Sequence, residues 1–350
     1  MIEAARRVMT RATHRIYSLP VLVLMPHSSC NCRCVMCDIW KANAHSVELA
    51  ADDLAPHVAA MRRLGVQWVV LSGGEALMHA NLWTLCDMLA ALPARVTLLS
   101  TGLLLDRNAA AVVGATSDVI ISLDGSRPVH DRIRNIPCAY ARLAQGVAAL
   151  KAERRDFPVT ARCTLQRLNY ADLPNIVAAA HDLGLDGISF LAADVSSSAF
   201  NRPTPWDTAR VADVALSADE VAHFRDVVEE TIARYADDFA SGYIAESPAK
   251  LRRLPQYFAA LLGQGEFPTV RCNAPWVSAV VESDGAVKPC FFHPAIGHLG
   301  EGALDAVLNA PRARQFRQTL DVAENPICQR CTCSLYLSPT RDLNGSGLQK

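Results

Sequence analysis

Unbalanced charge and long apolar runs are both missing from this sequence. Its 34 Lys and Arg residues nearly match its 35 Asp and Glu residues, so the formal net charge is -1. A chain so balanced has no global field that would favour nucleic acid or an anionic lipid surface. No uncharged stretch reaches the roughly 18 residues that a membrane-spanning helix requires. We therefore expect no nucleic-acid partner and no membrane span.

Cysteine, in contrast, is abundant, with 12 residues in a chain of 350. The apolar run from 19 to 25 is too short for a secretory signal, so we expect a cytoplasmic location. Reducing compartments disfavour structural disulfides. So many thiols therefore indicate metal or redox chemistry.

Three of the cysteines form a CxxxCxxC motif. The segment reads Cys-Asn-Cys-Arg-Cys-Val-Met-Cys and places Cys30, Cys34 and Cys37 just after an apolar run. A 4Fe-4S cluster normally takes four cysteine ligands, so a triplet leaves one iron open, as a catalytic zinc keeps a free position for its reactant. A fragment of a structural zinc site is the alternative, and Cys32 adds competing spacings inside the motif.

From residue 20 to 195, short apolar runs alternate with amphipathic stretches. This rhythm is typical of repeated βα units around a parallel sheet. Six units predict a partial (β/α)6, TIM-like barrel, so the expected fold class is α/β with a small C-terminal cysteine-rich domain. The predicted strands are Val21 to Met25, Trp68 to Leu71, Val96 to Leu99, Val119 to Leu123, Val159 to Thr164 and Ile188 to Leu191.

Changes in composition divide the chain into five segments. The stretch from 193 to 216 is loop-like and is followed by two helical patterns, whereas a hairpin pattern surrounds Ser283-Asp284-Gly285. The last residues are polar and contain glycine, which predicts mobility. The segments are a basic N-terminal helix or extension (1–19), the barrel (20–195), a helical bridging segment (196–268), the cysteine-rich domain (269–337) and a mobile tail (338–350).

Polar motifs follow several predicted strands at one edge of the barrel. Gly73-Gly74-Glu75 follows the second strand, and Ser122 and Asp124 lie at the end of the fourth. Barrel enzymes place their chemistry at the carboxyl ends of the strands, where the cysteine motif also lies. Glycines let a backbone approach a ligand closely, and an acidic side chain suits a ribose diol. A tight strand-to-helix turn is the simpler alternative for the glycine pair.

The cysteine motif and the Gly-Gly-Glu turn together resemble the radical S-adenosylmethionine superfamily. That family has a partial barrel of six βα units and the motif CxxxCxφC, and Met36 occupies the large apolar position φ here. The resemblance selects Cys30, Cys34 and Cys37 as ligands of a 4Fe-4S cluster. It leaves Cys32 as a bystander on the same loop or as a mis-ligation site. The resemblance covers roughly residues 15 to 195.

The resemblance also implies the cofactor and its contacts. The open iron chelates S-adenosylmethionine, and an electron from the reduced cluster cleaves the cofactor to methionine and a 5′-deoxyadenosyl radical, which abstracts hydrogen from a substrate. The electron implies an external reductant such as flavodoxin or ferredoxin. The first implied cofactor-binding residue is Met36, at the φ position of the cysteine motif. The others are Gly73, Gly74 and Glu75 for the amino group, Ser122 and Asp124 for the ribose, and Arg162 for the carboxylate.

A second set of cysteines resembles the SPASM and Twitch extensions of this family. Cys272 and Cys290 reproduce their Cx9-15Gx4C spacing, and Cys328 with Cys331 supplies a CxxC. The shorter Twitch form, with one auxiliary 4Fe-4S cluster, fits the number of cysteines better. Cys333 is surplus, which leaves the fourth ligand open between Cys331 and Cys333. A structural zinc ribbon is the alternative, since two cysteine pairs also suit tetrahedral zinc.

The expected reaction follows from the second cluster. A fully ligated cluster has no open iron, so its useful roles are electron transfer and shaping of the pocket. We therefore expect a dehydrogenase-like, two-electron oxidation of a small molecule, with the auxiliary cluster as electron acceptor. The alternative is maturation of a ribosomally synthesised peptide, although the residues before the first strand are too few for a peptide-recognition domain. A remote alternative is a non-catalytic iron-sulfur electron carrier. No residue of the sequence stands out as the catalytic acid or base.

Overall fold

The structure is a computed structural model that describes residues 2–202 and 204–340. Most of the predicted tail 338–350 therefore lies outside the described residues. Within them, a single sheet is surrounded by helices. No helix in this part of the chain is both long and apolar enough to cross a membrane.

The strands of the described residues are β1 (Val21–His27), β2 (Trp68–Gly73), β3 (Arg95–Ser100), β4 (Asp118–Ser122), β5 (Val159–Leu165), β6 (Ile188–Ala192), β7 (Ser278–Val281), β8 (Ala286–Lys288) and β9 (Gly297–His298). They pair in the order β6-β5-β4-β3-β2-β1-β7-β8-β9. The first seven strands are parallel to their neighbours, and the last two continue antiparallel. The sheet is therefore an open, partial barrel, as the six βα units predicted.

Helices fill the connections between the parallel strands and form most of the segment that follows β6. Short 3-10 turns join several of them. In the described residues the helices are α1 (Ile2–Thr13), α2 (Ala51–Leu54), α3 (Val58–Arg63), α4 (Leu82–Leu89), α5 (Leu105–Ala115), α6 (Arg127–Arg134), α7 (Ala139–Glu153), α8 (Leu173–Asp182), α9 (Thr208–Val214), α10 (Ala218–Arg234), α11 (Ala236–Ser241), α12 (Pro248–Leu251), α13 (Arg253–Leu261), α14 (Ala274–Val277), α15 (Leu304–Asn309), α16 (Pro311–Thr319) and α17 (Pro326–Gln329).

Strand β5 shows how the sequence orients the sheet. Its residues alternate between buried and half-buried positions, because successive side chains of a strand point to opposite faces. The buried members, including Val159 and Leu165, join the main hydrophobic core with residues of α7 and α8 such as Leu143 and Ile176. The half-buried members, which include Arg162, point to the other face. Arg162 therefore lies on the face opposite the core.

Two local elements differ from the sequence prediction. One of the amphipathic stretches between the strands begins at Asp52 and has the apolar spacing of a single helix. The structure instead breaks it into α2, a 3-10 turn and α3, because Pro56 has no N–H to continue the helical hydrogen bonds. The predicted loop from 193 to 216 contains α9. The carboxylate of Asp207 caps that helix by accepting a hydrogen bond from the Arg210 backbone N–H at 2.8 Å.

The cysteine-rich segment continues the barrel sheet instead of standing apart from it. Strand β7 pairs in parallel with β1, from Val21 opposite Ser278 to Leu24 opposite Val281. The N-terminal segment is fastened to the same region, because the buried Arg317 donates hydrogen bonds to the carbonyls of His14 (2.9 Å) and Leu308 (2.6 Å). The domain boundaries at 195 and 269 stay predictions, since backbone pairing runs across them.

Replacement of Arg317 tests this fastening. Arg317→Ala removes the side-chain hydrogen bonds to the carbonyls of His14 and Leu308, so we expect the free energy of unfolding to fall by about 3 kcal/mol. The matched control is Gln318→Ala on the exposed side of α16, which should change it by about 0.5 kcal/mol or less. Urea denaturation of both variants measures the difference. Equal shifts would show that Arg317 does not fasten the N-terminal segment.

Candidate functional site

The four N-terminal cysteines lie together on residues 28–38, which we call the cysteine loop and which directly follow β1. The thiols of Cys30, Cys34 and Cys37 share a small cluster with Met36. Cys32 is also part of it, because its buried side chain is hydrogen-bonded to both Cys30 and Cys34. The structure thus brings the three predicted ligands together and adds Cys32 as their direct neighbour.

The surroundings make these thiols unequal as acids. The hydrogen bond from Cys32 lowers the pKa of Cys34 to about 7, helped by the Arg134 cation and opposed by burial. Burial raises the pKa of Cys37 to about 12. Metal binding requires the thiolate. Cys34 is therefore the thiol of this pair that loses its proton more readily before a metal is bound.

Arg134 and Asp124 form a buried ion pair behind the cysteine loop. The Arg134 guanidinium donates to Cys34 Sγ at 3.5 Å and lies 2.5 Å from the Asp124 carboxylate. The other Asp124 oxygen accepts the backbone N–H of Thr164 at 2.8 Å, and the Asp124 side chain is fully buried. Asp124 thus faces Arg134 and the core, and the ribose contact that the resemblance implied for it stays a prediction. Sequence reasoning missed the contact between Arg134 and Cys34. The available signal was the spacing of four residues between His130 and Arg134, which puts both side chains on one face of a helix.

The Gly-Gly-Glu turn is joined to the cysteine loop through the backbone. The amides of Gly74 and Glu75 donate to the carbonyls of His27 (3.2 Å) and Ser29 (2.9 Å). A side chain on Gly74 would collide with the Ser29 carbonyl. Gly73 adopts a φ of 111°, which is unfavourable for residues with a Cβ. Both glycines are therefore needed for the two motifs to meet.

The Glu75 side chain points into the protein. Its carboxylate accepts hydrogen bonds from the backbone and hydroxyl of Thr101, at 2.7 and 2.6 Å, and from the Ser100 hydroxyl at 3.1 Å. Burial raises the pKa of Glu75, and these donors oppose the rise. The carboxylate thus anchors the turn to the end of β3.

Ser122 and Arg162 lie side by side on neighbouring strands, paired across β4 and β5. Arg162 Nε donates to the Ser189 hydroxyl on β6 at 3.3 Å. The buried Glu246 accepts the Phe190 backbone N–H at 2.8 Å. Burial raises the pKa of Glu246, and Lys250 and Arg162 oppose that rise. Ser122, Arg162 and Ser189 thus form a polar row across three neighbouring strands, and Glu246 contacts the backbone of the last of these strands.

Residues 194–202 and 204–210, which we call the strap, hold the cysteine loop from outside. Arg202 donates to the Met36 carbonyl at 3.1 Å, and Arg210 donates to the Val35 carbonyl. The Trp206 indole donates to the Asp38 carboxylate at 2.8 Å. Sequence reasoning missed this clamp, because single Arg and Trp residues in a polar loop carry no periodic signal.

The strap also touches the second cysteine set. The Phe200 ring centroid lies 4.8 Å from that of Phe291, the residue after Cys290. Arg202, two residues along the strap, is buried in an ion pair with Asp194 at 2.8 Å and stacks on Trp206. A continuous set of contacts therefore connects the cysteine loop with Cys290.

The five C-terminal cysteines converge from three separate segments. Burial raises the pKa of Cys290 to about 11 and that of Cys328 to about 12, and neighbouring thiols of the set add to both shifts. Cys331 is half-buried, whereas Cys333 is exposed. His293 was missed by sequence reasoning: its Nε2 lies 3.3 Å from Cys328 Sγ. The one available signal was its position three residues after Cys290.

Both cysteine sets fit iron-sulfur clusters in their chemistry. Among the residues described, no group of three or more His, Cys, Asp or Glu side chains is spaced to hold a metal ion. The converging donors are almost all thiols, the ligands that hold iron-sulfur clusters. The first set offers the predicted triplet, and the second offers at least four cysteines.

Two family models match the chain. Residues 24–180 match the radical SAM superfamily, and residues 272–332 match SPASM, an iron-sulfur cluster-binding domain. The chain belongs to the radical SAM superfamily and carries a SPASM domain. The predicted family and fold class are thereby confirmed, and the two domains imply S-adenosylmethionine and 4Fe-4S clusters as cofactors.

Most of the curated relatives are similar to only part of this chain. The pre-heme d1 synthase of Dinoroseobacter shibae is 30% identical over 48% of this chain and 42% of its own length. The AdoMet-dependent heme synthase of Methanosarcina barkeri is 27% identical over 45% of this chain and 46% of its own. The chain thus spans under half the length of these radical SAM relatives. The subtilosin biosynthesis protein AlbA of Bacillus subtilis is 19% identical over 95% of this chain and 69% of its own.

Solved structures of similar fold match this chain over nearly its whole length. SuiB of Streptococcus suis, bound to S-adenosylmethionine, matches with a TM-score of 0.64 at 12% identity, over 95% of this chain and 76% of its own. The enzyme anSMEcpe with AdoMet and a peptide matches with a TM-score of 0.63 at 16% identity, over 89% of this chain and 87% of its own. At such identities the likeness shows the shared fold.

A methyl group on Gly74 should disrupt the first site. Gly74→Ala pushes the turn away from Ser29, so we expect iron and sulfide per chain after anaerobic reconstitution to fall by about half, as one of two clusters is lost. Gly114→Ala is the matched control, because its methyl group would meet no atom within 4 Å. That control should keep its full iron content. A Gly74→Ala protein with unchanged iron content would contradict the claim that the two motifs need a glycine at this position in order to meet.

Proposed function

We propose that this radical SAM enzyme carries out a two-electron oxidation of a small organic molecule, with its auxiliary cluster as the electron acceptor. The observation that carries the proposal is the convergence of Cys272, Cys290, Cys328 and Cys331. Four thiolates occupy every ligand position of a 4Fe-4S cluster. Such a cluster has no iron left for substrate, so electron transfer is the role that suits it.

The proposed ligands of the first cluster are Cys30, Cys34 and Cys37, with Cys32 supporting Cys34 through its hydrogen bond. For the auxiliary cluster we propose Cys331 as the fourth ligand in preference to Cys333. A tight turn supports this choice, because the Cys331 backbone N–H donates to the Cys328 carbonyl at 3.1 Å and keeps the two residues of the CxxC close. The exposed Cys333 stays the alternative.

Binding of S-adenosylmethionine is proposed for the residues around the cysteine loop. The turn of Gly73, Gly74 and Glu75 would receive the amino group through its backbone, since the Glu75 carboxylate is already occupied. We propose that Asp124 acts through Arg134 and Cys34 and does not itself contact the ribose. The remaining proposed contacts are Met36, Ser122 and Arg162.

The substrate loses two electrons and two hydrogens in the proposed reaction. Cys30, Cys34 and Cys37 would hold the first cluster, which with S-adenosylmethionine would supply a carbon-centred radical that removes one hydrogen atom from a substrate C–H bond. Cys272, Cys290, Cys328 and Cys331 would hold the auxiliary cluster, which would accept the second electron, and the second hydrogen would leave as a proton from the adjoining O–H or N–H group to water. A protein of the flavodoxin or ferredoxin type supplies the electron needed for each cleavage of the cofactor.

Substrate candidates come from the relatives. Relatives matched at 27 to 30% identity are named for the synthesis of heme or pre-heme d1, which supports porphyrin-type small molecules. Maturation of a peptide is the second candidate. It is supported by AlbA, a bacteriocin biosynthesis protein that matches along 95% of this chain.

Cysteine variants separate the two proposed roles. Anaerobic Cys30→Ala should form no 5′-deoxyadenosine from S-adenosylmethionine with dithionite, because the first cluster loses a ligand. Cys272→Ala should retain part of this cleavage but give no oxidised product. Cys86→Ala, at a buried cysteine in α4, is the matched control and should keep both activities. Equal loss of cleavage in the Cys30 and Cys272 variants would contradict an acceptor role for the auxiliary cluster.

Formation of 5′-deoxyadenosine also distinguishes the two substrate classes. With a porphyrin panel and a peptide panel offered separately, we expect 5′-deoxyadenosine formation to rise at least about tenfold with a member of the porphyrin panel only. Such a rise corresponds to about 1.4 kcal/mol of added transition-state stabilisation. The measurement is product quantified by chromatography under anaerobic conditions. Stimulation by peptides alone would replace the small-molecule proposal with peptide maturation.

A further inference from the structure

The buried His293 contacts one thiol of the auxiliary set. Its Nε2 lies 3.3 Å from Cys328 Sγ, and its ring packs edge-on against Phe316 at a centroid distance of 5.0 Å. His293 is only 4% exposed and Cys328 8%. Neighbouring side chains therefore hold the imidazole against the sulfur, with little room for water to compete.

The other thiols of the set receive hydrogen bonds from the backbone. Cys272, Cys290 and Cys331 each accept from the amide two residues later in the chain. At Cys328 the polar partner is a side chain. This contact can therefore be removed by substitution while the backbone contacts of the other thiols stay in place.

We propose that His293 donates an N–H···S hydrogen bond to the Cys328 thiolate and thereby raises the reduction potential of the auxiliary cluster. The proposal rests on the assignment of Cys328 as a cluster ligand and on the acceptor role proposed above. Reduction adds negative charge to a cluster and its sulfurs, and a hydrogen-bond donor stabilises that charge. A higher potential favours transfer of an electron from the substrate to the cluster. His293 is thus a positioning residue.

The potential of the auxiliary cluster tests this role directly. The full chain carrying Cys30→Ala, Cys34→Ala and Cys37→Ala retains only the auxiliary site, so a redox titration followed by EPR reports on that cluster alone. In this background, His293→Phe keeps an aromatic ring beside Phe316 but has no N–H. We expect the equilibrium constant for reduction of the auxiliary cluster to fall about tenfold. For one electron, this lowers the reduction potential by about 59 mV.

Two further variants make the result specific. His293→Gln places an amide nitrogen near the position of Nε2, so it should restore most of the potential. His298→Gln is the matched control in the same domain, because His298 is exposed and contacts the Asp284 carbonyl and not a thiol. It should leave the potential unchanged. An unchanged potential in a His293→Phe protein with normal iron content would overturn the proposal.

Pulsed EPR provides a measurement that does not depend on the stability of the His293→Phe variant. The reduced auxiliary cluster of the triple cysteine variant should show a weak coupling to a histidine nitrogen, which labelling with ¹⁵N-histidine identifies. A strong coupling typical of iron-bound imidazole would make His293 a ligand, and no coupling would remove it from the site. Either result would overturn the donor role. No substrate or S-adenosylmethionine is present, so failure of the proposed oxidation would appear only in the turnover assays.

Discussion

Strand β1 is hydrogen-bonded along both edges, and the position at which it ends determines where the cysteine loop lies. It pairs in parallel with β2 on one side and β7 on the other. The turn after β2 binds the backbone of the cysteine loop through the amides of Gly74 and Glu75. Strand β7 belongs to the cysteine-rich segment. One buried strand thus aligns the first cysteine set, the Gly-Gly-Glu turn and the SPASM domain.

Buried ion pairs hold the cysteine loop in place after β1. Ion pairs removed from water are stabilising only when their geometry and additional hydrogen bonds are favourable. Here each pair has a further partner on the cysteine loop. Arg134, held by Asp124, reaches Cys34 Sγ, and Arg202, held by Asp194, reaches the Met36 carbonyl. The carboxylates therefore orient cations that position the cysteine loop, and the ion pairs connect the core with the site.

Prediction from the sequence succeeded where the signal is local. The six strands of the barrel and the hairpin near Ser283 lie where periodicity and turn residues placed them. The spacing of cysteines indicated both iron-sulfur domains. The sequence could not decide the surroundings of single polar side chains. Asp124 follows a strand at the edge where the cysteine motif lies, and in the structure it is buried and contacts Arg134 and the Thr164 amide. Its contact with a ribose stays a prediction.

The sequence by itself determined the chemistry that is available: the thiol spacing, the glycines of the turn and the rhythm of βα units, all of which are encoded by neighbours in the chain. Only the tertiary structure decided which groups act together. The strap contacts the cysteine loop from more than 160 positions away, as Arg202 to Met36 shows with a separation of 166 residues. His293 meets Cys328 across 35 residues. Such contacts depend on packing between distant segments, and no local pattern in the chain records them.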